Sequence, residues 1–252
     1  MEAKREAQAG ARLLGVLGGM GPAATVDFLR KLIELTPAAR DEEHVPLVVY
    51  SVPQMPDRTA AILAEGPSPL PAMLRGIRVL AQAGAQCVAI PCNTAHHWYR
   101  ELVARGGLPI LHIADAACER LAGLGLRGGA VGLIATSGTL AAGFYQERLA
   151  ARGYRALVPT EADQERFVMR GIAQVKAGEL AAARASLAPA ARELVAAGAR
   201  ALVFACTEVP IALERDAGLG APVVDATEAL AAACVRWALE APARAPAPAR
   251  AS

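Results

Sequence analysis

The chain has 252 residues, a formal net charge of +2 and an apolar fraction of 54%, with only 4% aromatic residues. Both charge signs are interspersed, leaving no basic stripe for a phosphate backbone and no polybasic run for anionic lipid, so neither nucleic acid nor a membrane is an expected partner. Five cysteines at scattered spacing, with no Cys-x-x-Cys, argue against a disulfide framework or a structural zinc.

From the amino terminus, Met1 to Arg12 is charged and helix-prone, and Leu13-Leu14-Gly15-Val16-Leu17 is too short for the apolar core of a signal peptide; a cytoplasmic location with reduced thiols is expected. Short aliphatic runs then alternate with longer Ala/Leu/Glu/Arg segments, the pattern of a parallel sheet with crossover helices. Strands are expected near 12–18, 46–52, 86–91, 109–112, 129–135, 155–158, 201–205 and 222–225. Helices are expected over 22–36, 69–83, 95–105, 115–123, 139–152, 161–177, 179–197, 208–215 and 227–240. The uncharged stretch between Arg127 and Glu147 is interrupted by Thr136-Ser137-Gly138-Thr139 and reads as a buried strand, a turn and a helix start rather than a membrane span. Residues 241–252 form an Ala/Pro/Arg run that cannot bury a face; with 1–11 they are expected to be disordered tails.

The sequence repeats itself. Leu80 to Asn93 aligns with Leu194 to Thr207, with Leu, Ala-Gly-Ala and Cys coinciding, so that Cys92 matches Cys206. At nearly the same spacing Leu14-Gly15-Val16-Leu17 matches Val131-Gly132-Leu133-Ile134, and Leu108-Pro109-Ile110-Leu111-His112 matches Ala221-Pro222-Val223-Val224-Asp225. The expected fold is therefore α/β: two similar Rossmann-like domains, 12–112 plus 227–240 and 113–226, each with a four-stranded parallel sheet flanked by helices. A pseudo-two-fold axis between them would bring equivalent strand ends to one cleft, where open parallel sheets bind ligands. Each half would offer one thiol to that cleft. Two like acid/base groups on opposite faces of one carbon suit removal of a proton from one side and its return on the other, as in a racemase or epimerase.

Cys92, in Pro91-Cys92-Asn93-Thr94-Ala95-His96, and Cys206, in Ala205-Cys206-Thr207-Glu208, each follow an apolar strand and precede a helix, where the helix dipole is expected to favour thiolate. Asn93-Thr94 and Thr207-Glu208 offer N–H groups and hydroxyls suited to a carboxylate, and equally to ordinary capping. Cys87, Cys118 and Cys234 lack counterparts and read as core. A Cys92–His96 dyad or metal site lacks a third group at a fixed spacing. Gly19-x-Gly21-x-x-Ala24 resembles a dinucleotide fingerprint, yet the second strand ends without the acidic residue that would hold a ribose. Lysine occurs only at 4, 31 and 176, none in a phosphate-cradling context, so no pyridoxal phosphate and no other cofactor or metal is expected. Arg58 and Lys176 are the cations most apt to matter, against the ordinary surface role of such residues.

Six motifs carry a family resemblance: Gly15 to Pro22, Thr36 to His44, Pro56 to Ala60, Pro91 to His96, Met169-Arg170-Gly171-Ile172 and Cys206-Thr207-Glu208-Val209. In this order they resemble the aspartate/glutamate racemases, and among them the aspartate racemases. The resemblance implies a pyridoxal-independent enzyme, usually a homodimer, with Cys92 and Cys206 as paired acid and base. It also implies that Arg58, Asn93, Thr94, Ala95 and Lys176 contact the amino acid. A cysteine-dependent lyase or cis-trans isomerase acting on a small dicarboxylate in the same cleft is the alternative reading.

Overall fold

A computed structural model describes residues 11–214 and 218–240; the expectations for residues 1–10 and 241–252 lie outside them. Seven strands form two parallel sheets. Strands β1 (Leu14–Gly18), β2 (Leu47–Ser51) and β3 (Cys87–Ala89) lie in the order β2-β1-β3. Strands β4 (Gly129–Ala135), β5 (Tyr154–Leu157), β6 (Ala201–Ala205) and β7 (Val223–Asp225) lie in the order β5-β4-β6-β7. The central strands β1 and β6 are buried throughout and read as continuous aliphatic runs, as expected where helices cover both faces of a sheet.

The strand expected at 109–112 shrinks to one bridge between Val88 and Ile110, so the first sheet has three strands and not four. Val88 N–H donates to Pro109 O and Leu111 N–H to Val88 O; then His112 caps the next helix and ends the pairing. With that bridge counted, the two sheets share one strand order.

The helices are α1 (Pro22–Leu35), α2 (Arg58–Ile62), α3 (Leu70–Gln82), α4 (Tyr99–Gly106), α5 (Ile113–Ala122), α6 (Ser137–Ala142), α7 (Phe144–Ala150), α8 (Glu161–Asp163), α9 (Arg170–Lys176), α10 (Leu180–Ala196), α11 (Val209–Ala212) and α12 (Ala226–Leu239). The helix expected over 139–152 breaks into α6 and α7 at Gly143, whose φ of 73° is left-handed and suits glycine. A π-helical stretch, Gln164–Met169, separates α8 from α9 inside the segment expected as one helix. The helix expected over 208–215 is a single turn, α11. The short α2 lies where no helix is expected; Asp57 caps it, its Oδ1 accepting from Ala60 N–H at 2.8 Å.

One buried cluster joins the two sheets: Leu14, Phe28 and Leu32 pack with Val131, Tyr145 and Val203. Helix α12 lies against both α1 and α5. Its cap Asp225 accepts from Thr227 N–H at 2.8 Å, while Asp225 Oδ2 takes the buried Lys31 ammonium of α1 at 2.6 Å. That ion pair ties the start of the last helix to the first. No helix among the described residues is long and apolar enough to cross a membrane.

Candidate active site

Loops at the carboxyl ends of the strands converge on one small cavity. Met20 comes from the loop after β1, Arg58 from beyond β2, Cys92 from beyond β3, Thr136 from the end of β4 and Cys206 from the end of β6. Asp57, Thr59, Asn93, Thr94, Lys176, Thr207 and Glu208 complete the lining. Both repeated cysteines and all the expected contact residues except Ala95 therefore share one wall. Ala95 is fully buried behind Cys92 and directs its backbone N–H toward the sulfur. The cavity holds about 20 Å³, room for roughly one water and less than any amino acid.

The first loop is tight because Gly19, at φ 91°, lies against the main chain of Val52, where a Cβ would stand 2.4 Å from its nitrogen. A Cβ on Gly21 would come within 3.3 Å of Glu208 Oε1. These glycines thus serve close packing against Val52 and Glu208, which accounts for the dinucleotide-like spacing without a nucleotide.

After β3 the chain enters a 3-10 turn, Thr94–Trp98, rather than an α-helix. His96 N–H bonds to Asn93 O at 3.0 Å, leaving the Cys92 carbonyl to the His96 ring, whose Nδ1 lies 2.9 Å from it. Ile113 N–H donates to His96 Nε2 at 3.3 Å, so both contacts are met by the neutral Nδ1–H tautomer. Burial holds His96 down to about 4, in keeping with that neutral form. Nδ1 is thus engaged by Cys92 O and Nε2 by Ile113 N–H, so neither ring nitrogen is left for the Cys92 thiol or a metal ion. Among the described residues no group of three His, Cys, Asp or Glu is placed to hold a metal ion.

Thr94 joins the turn after β3 to the segment after β4 through its hydroxyl, 2.9 Å from both Thr136 Oγ1 and Thr139 Oγ1, which are themselves 2.9 Å apart. Asn93 Oδ1 accepts from the Tyr145 hydroxyl at 2.6 Å, while Asn93 Nδ2 is buried without a partner. Arg58 directs Nη1 at Met55 O (3.2 Å) and Pro56 O (3.0 Å); its Nε is likewise buried and unpartnered. Two orphan donors therefore adjoin a cavity that also holds a lysine, an arrangement that awaits an anion.

The thiols differ from the expectation and from each other. Both are pushed up, not down, because burial disfavours the thiolate more than the short turns that follow can favour it. The Glu208 carboxylate reinforces burial at both thiols; at Cys92 the Arg58 guanidinium opposes it more strongly than Glu208 adds to it, whereas at Cys206 Glu208 outweighs the opposing Lys176. Cys206 Sγ and Thr207 Oγ1 both donate to Glu208 Oε2 at 3.2 Å. The sequence marks Glu208 only as a source of backbone N–H; the adjacency in Cys-Thr-Glu is the available signal for its side chain. Cys87, Cys118 and Cys234 lie in the core, away from the cavity, as expected.

This chain belongs to the Asp/Glu/hydantoin racemase family, whose pattern it matches over residues 17–234. It is 28% identical over 153 residues to the broad specificity amino-acid racemase RacX of Bacillus subtilis, a match spanning 58% of this chain and 63% of RacX, less than two thirds of that relative. Its structure resembles that of an aspartate racemase from Picrophilus torridus, with a TM-score of 0.81 and 33% identity, covering 90% of this chain and 94% of the other. An aspartate racemase homologue from Pyrococcus horikoshii OT3 shares the fold at a TM-score of 0.70 and 22% identity, over 91% of this chain and all of the other.

Proposed function

We propose that the protein is a cofactor-independent amino-acid racemase that interconverts L- and D-aspartate, with Cys92 and Cys206 as the two acid/base groups. One observation carries this reading: both thiols line a single cavity that also presents two cations and two unpartnered N–H donors. The division into halves at 12–112 plus 227–240 and 113–226, related by a pseudo-two-fold axis, is part of the same proposal. The shared strand order and the repeated Cys92 and Cys206 turns support it.

The chemistry follows from the asymmetry of the thiols. With Arg58 beside it, Cys92 is the easier to ionise; Cys206, donating a hydrogen bond to Glu208 and keeping its proton, rests as the thiol. The Cys92 thiolate takes the α-proton from one face as the C–H pair becomes a carbanion. Cys206 then delivers its proton to the other face and ends as the thiolate. The reverse direction exchanges the roles.

The α-proton of an amino acid is weakly acidic, so the carboxylate beside the developing carbanion must be held by donors already in place in a site shut to water. The unpartnered Nδ2 of Asn93 supports a role in holding that carboxylate, a contact made equally to the bound substrate and to the carbanion. Arg58 and Lys176 suit the side-chain carboxylate, Arg58 by the fork geometry of its guanidinium. An acidic side chain is favoured by these two cations.

Incubation of the pure protein with L-aspartate and no added cofactor, followed by chiral chromatography, tests the proposal. It predicts D-aspartate accumulating toward a 1:1 mixture. Loss of amino acid to another product, or no reaction with aspartate, would overturn it.

A further inference from the structure

Asn93 is an unusual lining residue because its two amide atoms have opposite fates. Its Oδ1 is consumed by Tyr145 at 2.6 Å, and its Nδ2 is left buried and unbonded in a side chain that is 2% exposed and borders the cavity. An amide can present either an acceptor or a donor pair to a ligand, and the two ends are nearly isosteric. Something must choose between them.

We infer that Tyr145 is the positioning residue that makes this choice: its O–H fixes Asn93 with the NH₂ turned to the substrate carboxylate. Tyr145 is fully buried at the start of α7, beside Phe144, and reaches from the far half of the repeat to the Cys92 turn. Asn93 Oδ1 is the acceptor its proton has found. With the amide reversed, the Tyr145 oxygen would accept from Nδ2 and its own proton would be left buried without a partner, a cost comparable to a lost hydrogen bond. The reversed amide would also aim a carbonyl oxygen at an anion. Both penalties favour the observed orientation, so the phenol acts as a one-way latch although it does not line the cavity.

This inference rests on the reading of Asn93 as a carboxylate donor, and the test separates the two. Wild type, Tyr145→Phe, Asn93→Ala and the double variant are compared in aspartate racemisation, with thermal unfolding as a control. A latch predicts that Tyr145→Phe raises KM about tenfold while kcat changes less than about threefold, the size expected for one disordered hydrogen-bonding group. It further predicts that the double variant is no worse than Asn93→Ala, because Tyr145 then has nothing to hold. An unchanged KM in Tyr145→Phe, or effects that multiply in the double variant, would overturn the latch while leaving the racemase reading intact.

Asn93→Asp, with Tyr145 untouched, covers the case in which Tyr145→Phe does not fold. Tyr145 would hold one carboxylate oxygen and the other would face the substrate, so KM should rise well beyond that of Asn93→Ala. A KM for Asn93→Asp equal to wild type would mean that the NH₂ does not face the ligand. A wild-type enzyme without racemase activity would instead remove the function on which the inference stands.

Discussion

Cys206 Sγ donates a hydrogen bond to Glu208 Oε2 across 3.2 Å, whereas Cys92, whose thiolate the same carboxylate also disfavours, has the Arg58 guanidinium as the stronger neighbour. The two cysteines of the repeated turn thus have unlike neighbours, and in the proposed mechanism that difference leaves the resting proton on Cys206.

Replacing the carboxylate tests that assignment. A nearby negative charge disfavours the thiolate, so Glu208→Gln should lower the Cys206 pKa and raise its reactivity at fixed pH by about tenfold. The check is iodoacetamide modification of Cys206, followed by peptide mass spectrometry in a Cys92→Ala background. Modification at an equal or slower rate would mean that Glu208 does not hold the proton.

Removal of either sulfur should end racemisation, since each face of the α-carbon needs its own proton carrier. Cys92→Ala and Cys206→Ala are expected to keep the fold and lose at least about a thousandfold in kcat. Cys118, buried on α5 away from the cavity, serves as the control: Cys118→Ala should cost about 1 kcal/mol of stability and leave kcat near wild type. Circular dichroism with chiral product analysis separates the two effects.

Much of this site is legible in the sequence, because a thiol at the end of an aliphatic strand, repeated in the same context, is a local pattern. Arg58, Asn93, Thr94, Lys176 and Thr207, all marked by sequence, line the same cavity as the two cysteines. What the sequence hides is tertiary. Tyr145 meets Asn93 across 52 positions, and Thr136 and Thr139 meet Thr94 across 42 and 45. The upward push on both thiols is hidden too, since a helix start predicts a lowered value until burial is known. Helix α2 escapes because five residues are too few to show a period; its cap, Asp57, is the one local clue. The strand expected at 109–112 is cut short, as an aliphatic run does not reveal that a helix cap ends it.

Helix α2 brings Arg58 to the cavity by packing on Gly138 of α6. A Cβ there would lie 2.8 Å from Thr59 Cα, a main-chain atom that cannot turn aside. Gly138→Ala should therefore displace α2 and Arg58, lowering kcat/KM for aspartate on the order of tenfold or more, with a small change in Tm. Kinetics equal to wild type would show that α2 moves without consequence.

The buried histidines set an acid limit on stability. Desolvation holds His96 down to about 4 and His112 down to about 2, whereas both take a proton near 6.5 when unfolded. Between pH 6.5 and about 4 the unfolded chain binds more protons, so stability falls as pH falls, by roughly 3 kcal/mol from His96 alone. His112 caps α5 by accepting from Ala114 N–H, a role that asparagine fills without titrating. Urea unfolding at pH 7 and pH 5 should show a smaller pH dependence in His112→Asn than in wild type; equal slopes would contradict the assignment.

The central claim is that two thiols work on opposite faces, and isotope transfer tests it most directly. L-aspartate racemised in heavy water should yield D-aspartate deuterated at the α-carbon from the first turnovers, because the delivering thiol has already exchanged with solvent, while the remaining L-aspartate stays largely protiated. Early D-aspartate that retains the original hydrogen would mean that one base carries the proton across, and would contradict the account even if both cysteines proved essential.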